Sequence, residues 1–283
     1  MAEKYPTKVW LKLDLANAYN MQSRQASLRQ LAQAAPALCA FQRLFYSSPS
    51  QYWYRVSDSE CSKLLARDGI EQGDPAGPAQ FACGLKELLD AMDLRLQVAA
   101  QARGLPPPFL FAYLDDTVIG VEPELLAEAF DIAAAETVAV GHTLRPSESS
   151  LWSPTSPCPA GFENIWHPAG LLVAGVPVGT PDHQQSKAFQ VLGDTTKLCE
   201  KVVQLCERAP VGWCRRQSAW QLLRLCCLPR LDFLAGCIAP EQFLPFAEAF
   251  DRLIEDAVGR IFDFRPMAPA YLAPAYVAPA CLE

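Results

Sequence analysis

The sequence predicts an α+β fold, an antiparallel sheet backed by helices and followed by an all-helical region. Short runs of alternating, β-branched or aromatic residues recur through the first 180 positions. Longer runs at helical spacing fall between them, and from Asp182 onward only the helical spacing continues.

Taken in order, Lys8-Val9-Trp10-Leu11-Lys12-Leu13-Asp14-Leu15 alternates as a strand does. Val9, Leu11, Leu13 and Leu15 share one face, and Trp10, Lys12 and Asp14 share the other. Asp14 thus ends a strand on the face opposite the aliphatic stripe. Residues 23–34 read as a helix, and Pro36 opens a second one to about Tyr46. Residues 51–56 read as a strand, with Leu64-Leu65 in its hairpin partner. Gly69-Ile70-Glu71-Gln72-Gly73-Asp74-Pro75-Ala76-Gly77-Pro78 holds three glycines and two prolines, so it is a constrained loop. A long helix follows to about Arg103, with Leu85, Leu88, Leu89 and Met92 at helical spacing.

Phe109-Leu110-Phe111-Ala112-Tyr113-Leu114-Asp115-Asp116-Thr117-Val118-Ile119-Gly120 reads as two short strands with paired acids at the turn. Residues 124–140 form an Ala-rich amphipathic helix closed by Gly141. Residues 149–180 give short β-like pieces, notably around Gly175-Val176-Pro177-Val178-Gly179. Helical stretches then cover 182–207, a run to about 228 after the break at Ala209-Pro210-Val211-Gly212, and 240–261. The Ala-Pro repeats after Phe264 read as an extended, poorly ordered tail. The expected organisation is a sheet-containing domain over 1–181, a helical region over 182–264 and the tail over 265–283.

The 283 residues are 51% hydrophobic and 19% charged, enough for a core and too apolar for general disorder. No apolar run approaches the roughly 18 residues that span a bilayer, so no membrane partner is expected. The chain opens straight into a strand-like run, so no signal peptide is expected. Eleven cysteines occur without C-x-x-C spacing, which reads as buried reduced thiols in an intracellular protein, nuclear or cytoplasmic. The net charge of −7 is unevenly spread. Residues 8–55 carry six Lys/Arg and one Asp, residues 56–181 six basic and 17 acidic, and residues 182–232 eight basic and five acidic. Such segregation permits a polyanion partner without requiring one.

No Lys or Arg lies within ten residues of Asp115-Asp116 on either side, so the sequence points to a divalent cation with oxygen ligands as their neutralising partner. A solvated hairpin tip is the plainer alternative. A strand end at Asp14 and a hairpin tip at Asp115-Asp116 can sit side by side in one sheet. Three carboxylates converging there suit two Mg²⁺ ions about 3.5–4 Å apart, as in in-line phosphoryl transfer.

Three stretches in this order resemble the motifs of reverse transcriptases, RNA-dependent DNA polymerases, most of all those of non-LTR (LINE-type) retrotransposons. They are Leu13-Asp14-Leu15-Ala16-Asn17-Ala18-Tyr19-Asn20, the loop from Gly69 to Pro78, and Phe111-Ala112-Tyr113-Leu114-Asp115-Asp116. Leu144-Arg145-Pro146-Ser147 and Gly175-Val176-Pro177-Val178-Gly179 stand where two later motifs would. The resemblance covers roughly residues 8–180 and, more loosely, a helical region around Leu222-Leu223-Arg224. It implies a palm sheet of the RRM-like kind and a helical thumb, with the fingers truncated.

The resemblance implies template-directed transfer of deoxynucleotides to a primer 3′-hydroxyl, with RNA or DNA template, primer and deoxynucleoside triphosphates as partners. Asp14, Asp115 and Asp116 would be the catalytic acids of a site for two Mg²⁺ ions (or Mn²⁺), with Asp14 and Asp115 binding both ions, the Leu15 carbonyl joining the coordination and Asp116 counted with the metal residues as electrostatic support. Tyr19 would lie under the incoming sugar and disfavour a 2′-hydroxyl, although a core tyrosine fits the position too. Gln72 and Gly73 would meet the nucleotide and the template base. Tyr113 would lie near the primer terminus and the 175–179 turn would grip the primer. Lys187, Lys197, Lys201, Arg215 and Arg216 would face duplex phosphates.

Two departures keep an alternative open. The fingers cations that precede Asp14 in this family are absent here, with upstream fingers and nuclease segments expected elsewhere. Glu148 also stands where the family usually has a lysine after Pro-Ser. The alternative is an inactive, truncated retrotransposon relic that keeps the fold as a nucleic-acid- or protein-binding module. Tyr19, and Leu114 in place of a glycine before the paired acids, disfavour an RNA-dependent RNA polymerase.

Overall fold

Strands distant in the chain close into one antiparallel sheet in this computed structural model, which describes residues 4–208 and 215–263. Two compact units are present, Met1–Thr180 and Pro181–Glu283. The first contains, in order, β1 (Val9–Leu13), α1 (Ala18–Met21), α2 (Arg24–Ala34), α3 (Pro36–Tyr46), β2 (Ser50–Arg55), β3 (Cys61–Ala66) and α4 (Gly77–Ala102). It continues with β4 (Phe109–Tyr113), β5 (Asp116–Val121), α5 (Leu126–Ala139), β6 (Ser150–Trp152), β7 (Gly170–Val173) and β8 (Val176–Gly179). The main sheet has the order β4-β5-β1-β6, all antiparallel, while β2-β3 and β7-β8 are separate hairpins. The α+β sheet backed by helices is therefore as the sequence predicts.

The alternation read from β1 decides what each face of the sheet touches. Val9, Leu11 and Leu13, with Ile119, Val121 and Leu151, join the core formed with Phe81, Leu85, Leu88 and Met92 of α4 and Ala129 and Ile132 of α5. Trp10, Val118 and Trp152 point the other way and pack with Leu171 of β7. Burying a large aliphatic side chain is worth roughly 1.5–3 kcal/mol. A strand with apolar residues on both faces is thus strongly held at the centre of the sheet. Gly120 faces Trp10 across the β1–β5 ladder, and a Cβ there would lie 2.7 Å from the indole ring.

Local chemistry sets the helix ends. Ser23 caps α2 by accepting from the Ala26 amide, and Pro36 opens α3. At the end of α5, Gly141 takes φ +83°, its N–H donates to Val138 O, and the His142 N–H donates to Thr137 O. This is a Schellman closure, which needs a left-handed residue and so suits glycine. It turns the chain back to β1, where Ala16 N–H donates to Thr143 O and Arg145 N–H donates to Asp14 O. The sequence does not announce α1, a single turn that begins after Asn17 at φ +47°.

The second unit is helical: α6 (Pro181–Arg208), α7 (Arg215–Leu222), α8 (Asp232–Ala235) and α9 (Pro240–Phe262). The helix expected to reach 228 changes winding at Leu223, becoming a π-turn over Leu223–Cys227 and a 3₁₀ turn over Leu228–Arg230. Pro229 lacks the N–H that a continuing α-helix would need. The described cysteines are free thiols. Burial, with Cys227 alongside, pushes the Cys199 thiol up to about 12. The break at 209–212 and the tail from 264 lie outside the described residues. No helix among the described residues is long and apolar enough to cross a membrane.

His142 is buried behind the Schellman turn, with Nε2 3.1 Å from Gln22 Oε1. Burial holds its pKa below the ordinary 6.5, so the folded chain stays neutral there after the unfolded chain has bound a proton. This contribution to stability is complete above pH 6.5 and is lost as pH falls toward the folded-state value. Urea denaturation at pH 7.5 and 5.5 should therefore show the parent chain losing more stability than His142→Gln, by at most about 1.4 kcal/mol per pH unit.

Candidate active site

The β1–β5 register builds the site. Leu13 pairs with Thr117, so Asp14 emerges beside the turn of the β4–β5 hairpin. Tyr113 pairs with Asp116, leaving Leu114 and Asp115 as the two-residue tip. Leu114 adopts φ +57°, a left-handed conformation that strains an L-residue. The exposed Asp115 contributes to the fields of both Asp14 and Tyr19.

Asp14 is the least comfortable of the acids. Its backbone is fixed on both sides, N–H to Ser149 Oγ at 3.2 Å and C=O to the Arg145 amide at 2.8 Å. Its Oδ2 atom is shielded from solvent without a hydrogen-bond partner, and the nearest cation, Arg145 Nη1, is 3.7 Å away. Burial raises its pKa, Arg145 opposes this, Glu148 raises it again, Lys12 opposes and Asp115 adds to the rise. Arg145 is itself shared with Glu148, at 2.9 Å.

Asp116 is differently placed. Lys12 Nζ lies 2.6 Å from its Oδ1, and its Oδ2 accepts the Ala174 amide at 2.7 Å. The sequence points to a divalent cation as neutralising partner of both acids, whereas Asp116 has a protein cation as well. No basic residue is near in sequence, but the neighbouring strand supplies one. Among the described residues no group of three or more His, Cys, Asp or Glu side chains is placed to hold a metal ion. The sequence leads one to expect three converging carboxylates; Asp14 and Asp115 share a field, and both oxygens of Asp116 have protein partners.

The donors at Asp14 and Asp115 nonetheless fit a hard divalent cation, because they are oxygen ligands and one is orphaned. The Leu15–Leu144 bridge is closed by Asp14 O and Ala16 N–H, which leaves the Leu15 carbonyl outside those bonds.

Tyr19 stacks on Phe81 of α4, ring centroids 4.1 Å apart and planes 8° from parallel. Burial raises its pKa, with Asp115 and Tyr113 adding to the rise, so these three side chains share one neighbourhood. Tyr113 is exposed. The 69–78 loop is tied to the same segment, since Ile70 N–H donates to Tyr19 O and Gly69 N–H to Gln22 O, both 2.9 Å. Gly69 must be glycine on two counts, a φ of +83° and a backbone oxygen of Asn20 2.7 Å from where a Cβ would be. Gln72 and Gly73 stand exposed in the turn of this loop, and neither is bonded to the carboxylates among the described residues.

Reading the sequence misses the mooring of this loop. The buried Arg24 guanidinium donates to Gly69 O, Ser48 O and Ser50 Oγ and pairs with Glu71. Asp74 accepts from Tyr46 Oη at 2.8 Å and from the Ala76 amide at 2.9 Å. Burial pushes the Tyr46 hydroxyl up to about 12. The available signal is weak, an Arg in the first turn of a helix whose buried face also carries Ser27, Leu28 and Leu31. In the second unit, Lys197 pairs with Asp194 and Arg216 with Asp263, while Lys187 donates to Gln190. Lys201 and Arg216 are exposed and Arg215 is half-buried.

No family model matches the chain, and no curated protein matches it. Among solved structures, telomerase from Candida albicans in complex with a TWJ fragment of telomeric RNA matches with 10% identity and a TM-score of 0.39, over 93% of this chain and 47% of that one. Telomerase from Candida tropicalis matches with 11% identity, both as the apo form (TM-score 0.40, 90% of this chain, 48% of that one) and with a TWJ fragment (0.44, 90% and 44%). The chain spans less than half the length of these structures. At such scores the likeness assigns nothing to this chain.

Arg24→Met should cost about 2–4 kcal/mol, because it strips donors from several acceptors at once and leaves Glu71 without its cation. Urea denaturation should show this loss. Exchange of the Ile70 amide should speed up more than that of amides in β1.

Proposed function

We propose that Met1–Thr180 is the palm of a nucleotidyltransferase of the reverse-transcriptase kind, adding deoxynucleotides to a primer 3′-hydroxyl on a nucleic-acid template. The observation that carries this reading is the coincidence of motif order with geometry. The acid ending β1 and the acid at the β4–β5 tip share one field, with Tyr19 and Tyr113 in it. The motifs alone, or an acidic turn alone, would be weaker support.

In this reading Asp14 and Asp115, with the Leu15 carbonyl, hold Mg²⁺. When bound, the metal lowers the pKa of the attacking hydroxyl and offsets charge on the leaving oxygen. The chain's own residues supply position. Phe81 holds the Tyr19 ring flat, so it forms a rigid floor beneath the sugar of the incoming nucleotide and leaves no room for a 2′-hydroxyl. The loop bonds from Gly69 and Ile70 set Gln72 and Gly73 relative to Tyr19, where a side-chain-free residue lets a base approach the backbone. Arg145 offsets part of the negative charge at Asp14.

The second reading, a binding module without catalysis, is favoured by Glu148, whose carboxylate takes up much of the Arg145 charge beside Asp14. Primer extension on a primed RNA template separates the two. The polymerase reading predicts incorporation of deoxynucleotides with Mg²⁺ or Mn²⁺, and a fall of about 10²-fold or more in Asp14→Asn and Asp115→Asn. It also predicts that Tyr19→Ala accepts ribonucleotides. A folded parent chain that retains primed template and incorporates nothing would establish the binding module instead.

A further inference from the structure

Asp116 is the one acid of the hairpin whose two oxygens are both committed. It lies on the same sheet face as Lys12 and Val118, diagonal to Lys12 across the β1–β5 ladder. Lys12 Nζ makes two contacts, 2.6 Å to Asp116 Oδ1 and 2.9 Å to Leu172 O of β7. Asp116 Oδ2 accepts the N–H of Ala174, the first residue of the β7–β8 turn. Ala174 and Gly175 have φ +48° and +81°, the signature of a type I′ turn. The ladder of this hairpin pairs Val173 with Val176, so the Ala174 N–H lies outside it and takes its partner from another strand. Two side chains thus clamp one hairpin at two backbone points.

We propose that Asp116 and Lys12 are positioning residues that tether the β7–β8 hairpin to the tip carrying Asp115, so that Asp116 holds protein and not the reaction's cation. The chemistry agrees from both sides. A carboxylate with an ammonium on one oxygen and an amide on the other has little left to offer a divalent ion. Asp14, with an orphaned oxygen, has much to offer. Lys12 also offsets one of three neighbouring negative charges. The consequence for the reaction rests on the polymerase reading above. The turn of a hairpin clamped in this way is fixed relative to the acid tip, and whatever strand it contacts is fixed with it.

Amide exchange of residues 170–179, followed in the full chain, tests the tether without any need for activity. Asp116→Ala should speed Ala174 exchange tenfold or more while leaving the Leu151 amide unchanged. Lys12→Met should give a smaller increase at the same place, and Lys12→Arg should restore most of the protection. Mn²⁺ binding, read by electron paramagnetic resonance, should survive in Lys12→Met and Asp116→Ala. In primer extension both variants should raise the KM for primer more than they lower kcat. Unchanged Ala174 exchange in both variants would overturn the tether, and so would an Asp116→Ala that loses Mn²⁺. Faster exchange in the variants of a parent chain that extends no primer would uphold the tether and defeat only the polymerase reading.

Discussion

The antiparallel register of β1 on β5 is the constraint on which the rest depends. Leu13 opposite Thr117 puts Asp14 beside the tip, and the period-two alternation places Lys12 with Asp116 and Val118 on one face. A slip of one residue would exchange the faces, sending Trp10 and Lys12 into the helix-backed core. Gly120 guards against this. Trp10 fits over it with no space for a side chain, and neither neighbouring register offers the ring a glycine, since Ile119 and Val121 flank the position. Packing of Trp10 on Gly120 therefore fixes where the carboxylate at the end of the same strand stands relative to the hairpin tip.

Two further connections extend that order outward. The Schellman turn after α5 returns the chain so that Arg145 meets the backbone of Asp14, and its side chain reaches toward the same acid. The 69–78 loop hangs from Tyr19 and Gln22 on one side and from Arg24 and Tyr46 on the other, the last through Asp74. Buried donors of this kind leave a loop few alternative conformations, because each lost bond exposes an unpaired polar group. A glycine-rich segment is thereby made definite at its base, while Gln72 and Gly73 stay exposed.

Features set by nearby residues were legible in the sequence. Pro36 and the spacing to Tyr46 mark α3, Gly141 marks the end of α5, and alternation marks which side of β1 is apolar. The acids of the candidate site were legible as well, because Asp14 and Asp115 lie where a strand ends and a hairpin turns. Partners brought by tertiary structure were not. Lys12 lies in a different strand from Asp116, and no window around the hairpin contains it. Arg24 looks like a solvated residue in the first turn of a helix until its acceptors come together from two segments, 48–50 and 69–71. The π-turn at Leu223–Cys227 carries only the signal of Pro229, which predicts a break without its form. The pairing of Arg216 with Asp263 of its own unit was likewise not legible, since the two lie far apart in the chain.

Asp14 and Asp115 are proposed to act as one cation site, and Mn²⁺ titration of the parent chain by electron paramagnetic resonance, with Mg²⁺ as competitor, tests this most directly. Binding that Mg²⁺ displaces, and that disappears in Asp14→Asn and in Asp115→Asn while circular dichroism stays unchanged, is the predicted result. A folded parent chain that takes up no Mn²⁺, or binding that is indifferent to both substitutions, would contradict it.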